Sequence, residues 1–223
     1  MSALPVPTVA DAAANTASVP QPAPDPLAAR LCALARGSDW LMQALRCVRA
    51  LGLPQGCIGA GALRDLVWDH LHGQPPRVPR DVDVAWFDAS RLSPELDRAL
   101  EARLARQMPQ LRWDVVNQAA VHLWFERVFG AQDADVSERP PIRPLKSVED
   151  GIATWPETAT AVALRLQPDG QLQVIAPFGL ADLFAGIVRH NPARASAQTF
   201  RERCATKRYA QRWPRLTLLG PAQ

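Results

Sequence analysis

The sequence predicts one mixed α/β (α+β) domain, in which a twisted mixed sheet is flanked by helices. Two kinds of pattern follow each other along the chain. Apolar residues at three-, four- and seven-residue steps are typical of helices, and short alternating runs are typical of strands. The chain has 223 residues, of which 48% are hydrophobic, so it can bury one core without a second domain.

The N-terminal segment differs in composition from the rest of the chain. Residues 1–26 are rich in Ala, Pro, Ser and Thr, with prolines at 5, 7, 20, 22, 24 and 26. Such a segment cannot bury enough apolar surface to offset the entropy lost on ordering. We therefore expect a disordered extension over 1–26 and a folded domain over 27–223.

Nothing in the sequence predicts export or membrane insertion. The N-terminus lacks a basic region followed by an apolar core, and no apolar run approaches the ~20 residues of a membrane helix. The four cysteines lie far apart without the spacing of a metal site: Cys32, Cys47, Cys57 and Cys204. This usage indicates reduced thiols, and we expect a cytoplasmic protein with no membrane partner.

The first half of the domain begins with helices and then alternates strands with helices. The predicted elements are a helical region from Asp25 to Leu51 with a break or cap at Ser38 and Asp39, a strand at Cys57-Ile58, a helix over 63–71, a strand over Asp81–Phe87, a helix from Pro94 to Met108, a strand over Leu111–Val116 and a helix capped by Asn117. Residues 59–62 (GAGA) close the first strand. Glycine there allows close approach of a ligand, and the following helix offers free N–H groups to an anion.

The second half begins with a polar, proline-containing loop over 130–146. After it we predict a short helix opened by Ser147 as a capping-box variant, a strand over Thr158–Leu166 with a hairpin partner at Leu172–Ile175, a short helix over Phe178–Val188 and a basic helix over Ala197–Tyr209. Glu157 and Asp182 fit surface charges, although Glu157 lies in a polar patch just before a strand.

Two acids stand one residue apart on the predicted strand 81–87. Because side chains alternate along a strand, Asp81 and Asp83 point to the same face, about 7 Å apart. Like charges at that distance are unfavourable unless a positive charge lies between them, and Mg²⁺ prefers such carboxylate oxygens. Asp114, on the next strand, is expected beside them.

Charge is distributed unevenly along the chain. From residue 189 to the end there are eight Arg or Lys and one acid, whereas residues 1–188 carry 17 bases and 21 acids. A basic segment behind an acidic core suits a polyphosphate or nucleic-acid partner, and a solvated helix face explains the pattern equally well. Arg203 and Lys207 are one helical turn apart, so both are predicted to face one polyanion.

These residues resemble a known superfamily. The small-residue turn, Asp81-Val-Asp83 on a strand and a third acid on a neighbouring strand resemble the nucleotidyltransferases related to DNA polymerase β. Gly61-Ala-Leu-Arg-Asp65 is similar to the head domain of tRNA CCA-adding enzymes and poly(A) polymerases. AGALRDLVWD, DVDVAWFD, WDVVNQAAVHLW, WPETATAVALRL and APFGLADLFAGIVR together resemble a bacterial nucleotidyltransferase-like family over roughly residues 30 to 215.

The resemblance implies a nucleotidyltransferase-like fold and Mg²⁺-dependent transfer of a nucleotidyl group from an NTP such as ATP. It implies that Asp81, Asp83 and Asp114 are both catalytic and metal-binding. It also implies that backbone N–H groups at Gly61 and Ala62 hold the triphosphate. Arg64 lies in the first turn of the helix, where its side chain can reach a phosphate or pair with the neighbouring Asp65. Ala62 stands where many relatives carry Gly or Ser, which leaves only its backbone for a phosphate contact.

Two other functions stay open on the sequence. One is a nucleotide-binding regulatory module without turnover, against which the three intact acids argue. The other is an RNA-binding protein led by the basic segment, which needs base-stacking rings such as Phe200, Tyr209 and Trp213. The acceptor is unknown: an RNA 3′ end, a protein side chain and a small molecule all fit.

Overall fold

The computed structural model describes residues 25–129 and 143–220. The predicted disordered extension, apart from its last two residues, and most of the loop predicted over 130–146 lie outside these ranges. Within them the helices are α1 (Pro26–Arg36), α2 (Asp39–Ala50), α3 (Gly61–Leu71), α4 (Pro94–Gln107), α5 (Val121–Phe129), α6 (Val148–Ile152), α7 (Ala181–Ala185), α8 (Ala197–Lys207) and α9 (Tyr209–Arg212). The strands are β1 (Cys57–Gly59), β2 (Asp81–Trp86), β3 (Arg112–Asn117), β4 (Ala163–Leu166), β5 (Leu172–Ile175), β6 (Ile187–Arg189) and β7 (Thr217–Leu219).

In the described part of the chain, five strands form one mixed sheet in the order β3-β2-β1-β4-β5. β2 and β3 are parallel, and the other neighbours are antiparallel. Helix α4 supplies the crossover that parallel neighbours require. The predicted mixed sheet flanked by helices is therefore confirmed.

The sheet has two unequal faces. One face packs against α1–α4 in a large apolar core that includes the inward residues Val82, Val84, Trp113 and Val115. A smaller apolar cluster covers part of the other face, where Ile152 and Trp155 pack over β1, β2 and β4. The uncovered part of that second face is where polar side chains from β2 and β3 emerge.

Short polar side chains begin several helices as the sequence predicts. Asp25 accepts a hydrogen bond from the backbone N–H of Leu27, and Ser147 accepts one from that of Asp150 at 3.1 Å. Ser93 caps α4 in the same way, with a proline at the first helical position. No helix in residues 25–129 or 143–220 is both long and apolar enough to span a membrane.

Two predicted elements are wrong in extent. The strand predicted over 158–166 is strand only from Ala163, because backbone N–H groups of Thr160 and Ala161 bond back to the Glu157 carbonyl and form a turn. The helix predicted over 178–188 stops at Ala185, because Gly186 takes a left-handed conformation with φ of 67°. The chain then enters β6, which pairs in parallel with β7 near the C-terminus.

Candidate active site

Three carboxylates lie on the uncovered sheet face. In the parallel pairing of β2 with β3, Asp81 is opposite Arg112 and Asp83 is opposite Asp114. The two-residue period of both strands places these four side chains on one face, and all of them line a single cavity of about 400 Å³. The expectation that Asp114 lies beside the other two acids is confirmed in register and in face.

Basic side chains line the same cavity. Arg64 from α3, and Arg203 and Lys207 from α8, line the same space as the acids. The basic C-terminal segment thus folds back onto the turn between β1 and α3. We call Arg64, Arg203 and Lys207 the basic side of the cavity, and Asp81, Asp83 and Asp114 the acidic side.

The turn between β1 and α3 is built differently from the sequence prediction. The positive φ, 53°, falls on Ala60 and not on either flanking glycine. Gly59 is required for another reason: a Cβ there would lie 2.7 Å from the Trp155 ring and from the Val162 carbonyl oxygen. Ala60 and Gly61 line the cavity, whereas the side chain of Ala62 is buried in the large core. A strained non-glycine residue at this point is typical of functional turns.

A buried network of hydrogen bonds holds the basic side in place. Arg64 donates from Nε and Nη2 to Asp65, at 3.0 and 2.7 Å, and from Nη1 to the Tyr209 hydroxyl at 2.9 Å. Tyr209 in turn donates to Glu157 Oε1 at 3.3 Å, and Arg203 Nε donates to the same oxygen at 2.5 Å. One carboxylate, Glu157, therefore ties together cations from α3 and α8.

Glu157 corrects a sequence interpretation. It is 0% exposed, so it is not a surface charge. Its partners Arg203 and Tyr209 lie 46 and 52 residues further along the chain, and no local pattern reveals such contacts. The only sequence signal was the polar patch in which Glu157 stands, just before a predicted strand.

Lys207 differs from the two arginines of the basic side. Its side chain is exposed at the cavity wall, and no hydrogen bond or ion pair joins it to another described residue. Partial desolvation lowers the pKa of Lys207, and the Arg203 and Arg64 guanidiniums lower it further, while Asp83 opposes them. An ammonium beside two guanidiniums is an attractive partner for a multiply charged anion.

The acidic side is under electrostatic strain. Burial raises the pKa of Asp83, and the charge of Asp114 raises it further. Burial also raises the pKa of Asp114; Arg112 counteracts this, and Asp81 adds to it. No side-chain hydrogen bond to the carboxylate of Asp83 or Asp114 is found in the described part of the chain. The charges of Arg203, Lys207 and Arg64 oppose the rise at Asp83, but the pKa of each carboxyl stays raised, so ionisation is less favourable than in water.

Asp81 has a partner of a different kind. Arg112 Nε lies 2.8 Å from Asp81 Oδ1, but the contact lacks hydrogen-bond alignment, and this buried oxygen has no hydrogen-bond donor. No three His, Cys, Asp or Glu side chains among the described residues form a ready-made cluster for a metal ion. The acids thus share a face and a cavity, while Asp81 faces a cation from β3.

The donor set suits a hard divalent cation. Carboxylate oxygens with no protein donor, one of them buried and unbonded, are the ligands that Mg²⁺ accepts. Asp81, Asp83 and Asp114 are the residues that would hold it.

The aromatic residues of the basic segment do not support the RNA-binding alternative. Phe200, Tyr209 and Trp213 are 3%, 1% and 0% exposed, and Trp213 packs edge-on to Trp68 with ring centroids 5.1 Å apart. Trp213 also donates to the buried Asp69 at 2.9 Å. These rings anchor α8 and α9 to the core, so they offer no faces on which bases could stack.

Comparisons with known proteins identify the family and agree with the fold. A family model described as "Nucleotidyltransferase" matches residues 46–218. An NMR structure described as revealing a CCA-adding enzyme head domain is 26% identical, with a TM-score of 0.70 over 86% of this chain and 96% of that chain. No curated protein matches the sequence.

Two longer solved structures are similar at lower identity. A CCA-adding enzyme in complex with CTP is 16% identical with a TM-score of 0.47, over 85% of this chain and 42% of its own. The Thermotoga maritima CCA-adding enzyme complexed with tRNA gives the same four values. The chain therefore spans less than half the length of these two enzymes.

Proposed function

The chain belongs to the nucleotidyltransferase family, and on that premise we propose that it transfers a nucleotidyl group from an NTP to an acceptor, with Mg²⁺ as cofactor. The observation that carries the proposal is one cavity lined both by the three carboxylates of the acidic side and by the three cations of the basic side. A nucleoside triphosphate bound to a divalent cation has the complementary charges. The 26% identical head-domain structure supports the same class of reaction.

The acidic side holds the cation. Asp81, Asp83 and Asp114 supply the oxygens, and their mutual repulsion falls when a positive charge enters between them. When bound, Mg²⁺ supplies Lewis-acid stabilisation of the transferring phosphoryl group and a lower pKa for the attacking hydroxyl.

The basic side binds the triphosphate. The exposed ammonium of Lys207 and the guanidinium of Arg203 face the cavity, and α3 begins beside them at Gly61. The free N–H groups of that 11-residue helix add favourable charge for an anion. Glu157, Tyr209 and Asp65 hold the arginines in orientation before the ligand arrives, which lowers the entropy cost of binding.

The cavity also has the size and the apolar surface for a nucleoside. A volume of about 400 Å³ falls in the range of small-molecule sites. Trp155, Pro156 and Val116 contribute apolar surface to the same space. We propose the sugar and base lie along this wall, with the triphosphate toward α3 and α8.

The test is transfer of labelled α-phosphate. Purified protein is incubated with α-labelled NTPs, Mg²⁺ and cell extract from a strain lacking this protein, which supplies RNA, protein and small-molecule acceptors. The wild type should label an acceptor and release pyrophosphate, and Asp83→Asn should do neither. Absence of transfer by the wild type with every NTP would favour a binding module without turnover. Equal transfer by purified Asp83→Asn would overturn the metal assignment.

A further inference from the structure

Arg112 lines the cavity but has no role in the proposed binding of Mg²⁺ and NTP. It extends from β3, the edge strand of the five-stranded sheet, onto the face that carries the acids. Its Nε lies 2.8 Å from Asp81 Oδ1, and its side chain is 71% exposed. It lies two positions along β3 from Asp114, and β3 is on the opposite side of β2 from the turn at Gly61.

Asp81 contacts a cation of the protein, and no such ion pair is formed by Asp83 or Asp114 in the described part of the chain. Strand register alone brings the three carboxylates to one patch, yet they do not form a ready-made cluster among the described residues. The cation nearest to Asp81 is the Arg112 guanidinium, whose charge partly neutralises that carboxylate. A divalent cation on Asp81 must therefore work against a positive charge already placed beside the same oxygen.

We propose that Arg112 is an internal competitor of the divalent cation, a residue that sets how tightly the acidic side binds metal. In the metal-free protein it screens Asp81 and limits repulsion among the three acids. When metal binds, the guanidinium moves away from Oδ1 and Asp81 joins Asp83 and Asp114. The inference rests on the proposed function, because it takes these acids as the metal ligands.

Two features make this exchange physically easy. The ion pair is weakened on the Arg112 side, because water screens the largely exposed guanidinium and its long side chain must be held still. The Arg112–Asp81 contact also lacks hydrogen-bond alignment, so no well-formed hydrogen bond is lost when the two side chains separate. Arg112 is largely exposed on an edge strand, where it can turn toward solvent without displacing packed side chains.

The test measures binding of Mn²⁺ alone, by the electron paramagnetic resonance signal of the free ion, in the full-length protein. Arg112→Gln should bind Mn²⁺ about fivefold more tightly than the wild type, since one repelling unit charge is lost at contact distance. Arg112→Lys keeps the charge and should stay within about twofold of the wild type. Arg103→Gln removes an equal charge from an exposed site on α4 and should also stay within about twofold.

A double-mutant cycle assigns the effect to Asp81. In an Asp81→Asn background, Arg112→Gln should give a clearly smaller gain in Mn²⁺ affinity, because the competing contact is already gone and only longer-range repulsion is removed. An equal gain in both backgrounds, or no gain in the wild-type background, would overturn the inference and leave the proposed function standing. If neither the wild type nor Arg112→Gln shows Mn²⁺ binding that Asp83→Asn removes, both the metal assignment and this inference are wrong.

Discussion

The two sides of the cavity carry opposite charges and are stabilised in opposite ways. On the basic side, Arg64 and Arg203 donate hydrogen bonds to Asp65, Tyr209 and Glu157, and the network is largely buried. On the acidic side, burial raises the pKa of Asp83 and of Asp114, and neither carboxylate has a comparable network in the described part of the chain.

The difference explains how one cavity can bind both the negative triphosphate and the positive metal ion of a metal–NTP complex. The basic side is organised in advance, so its cations are in place for phosphate oxygens. The acidic side is unfavourable on its own and gains stability only when a cation enters. Changes on the basic side should therefore affect the fold as well as binding, whereas changes on the acidic side should affect ligand binding and spare the fold.

The largest expected effect is on stability and comes from Glu157. Glu157→Ala leaves Arg203 and Tyr209 without their shared buried acceptor, and loss of one partner of a buried ion pair costs about 3–5 kcal/mol. Denaturant unfolding measures this as a fall in the free energy of unfolding. Glu149→Ala, an exposed acid in α6, is the control and should change stability by less than about 0.5 kcal/mol. A loss below about 1 kcal/mol in Glu157→Ala would mean that the network does not organise the basic side.

The next effect concerns phosphate binding by Lys207. Lys207→Gln removes the basic-side cation that has no protein partner among the described residues, so binding of inorganic tripolyphosphate at low salt should weaken about tenfold. Calorimetric titration measures the affinity. The loss should shrink at higher salt, because screening weakens the charge–phosphate attraction.

Arg201→Gln is the matched control for that experiment. Arg201 is exposed on the same helix but lines a different groove, with Phe200 and Leu218. It should leave tripolyphosphate affinity within about twofold. Equal losses in both variants would mean that the net charge of α8 matters and that Lys207 has no special position.

The smallest effect is expected on the acidic side without metal. The raised pKa of Asp83 means that the folded state holds this proton to higher pH than the unfolded chain does. The free energy of unfolding should therefore fall as pH rises from about 3.9 through the raised pKa, and it should stay lower above that pH. Asp83→Asn removes this contribution and should raise the melting temperature at neutral pH by roughly 2–4 °C.

Chelator-treated protein is needed for that measurement, with melting followed from pH 4 to pH 8. Asp114→Asn is the companion variant and should shift the melting temperature in the same direction, because burial and Asp81 raise its pKa too. A clear drop in melting temperature for Asp83→Asn would contradict the view that the acidic side is strained.

The sequence predicts the acidic side well because strand alternation is a local rule. Asp81 and Asp83 follow from the two-residue period, and Asp114 follows from the next predicted strand. Helix starts at Asp25, Ser93 and Ser147 are equally local, since each capping side chain lies within three residues of the backbone N–H that donates to it.

The basic side could be predicted only in part. Arg203 and Lys207 are predicted to share one face of a helix, but their placement in the same cavity as the acids depends on contacts between distant residues. Arg64 meets Tyr209 across 145 positions, and Trp213 meets Asp69 across 144. Such partners are chosen by tertiary packing. The positive φ of Ala60 does not follow from the sequence, because glycines on both sides favour a positive φ more than alanine does.

The most direct test is whether binding of one NTP depends on both the acidic and the basic side of the cavity. Thermal melting is measured with each NTP, with and without Mg²⁺, for the wild type, Asp83→Asn and Lys207→Gln; ligand bound to the folded state raises the melting temperature. The wild type should be stabilised by NTP and further by Mg²⁺. Asp83→Asn should lose the Mg²⁺-dependent part, and Lys207→Gln should lose most of the part seen without Mg²⁺. Full Mg²⁺-dependent stabilisation by NTP in Asp83→Asn would contradict the account.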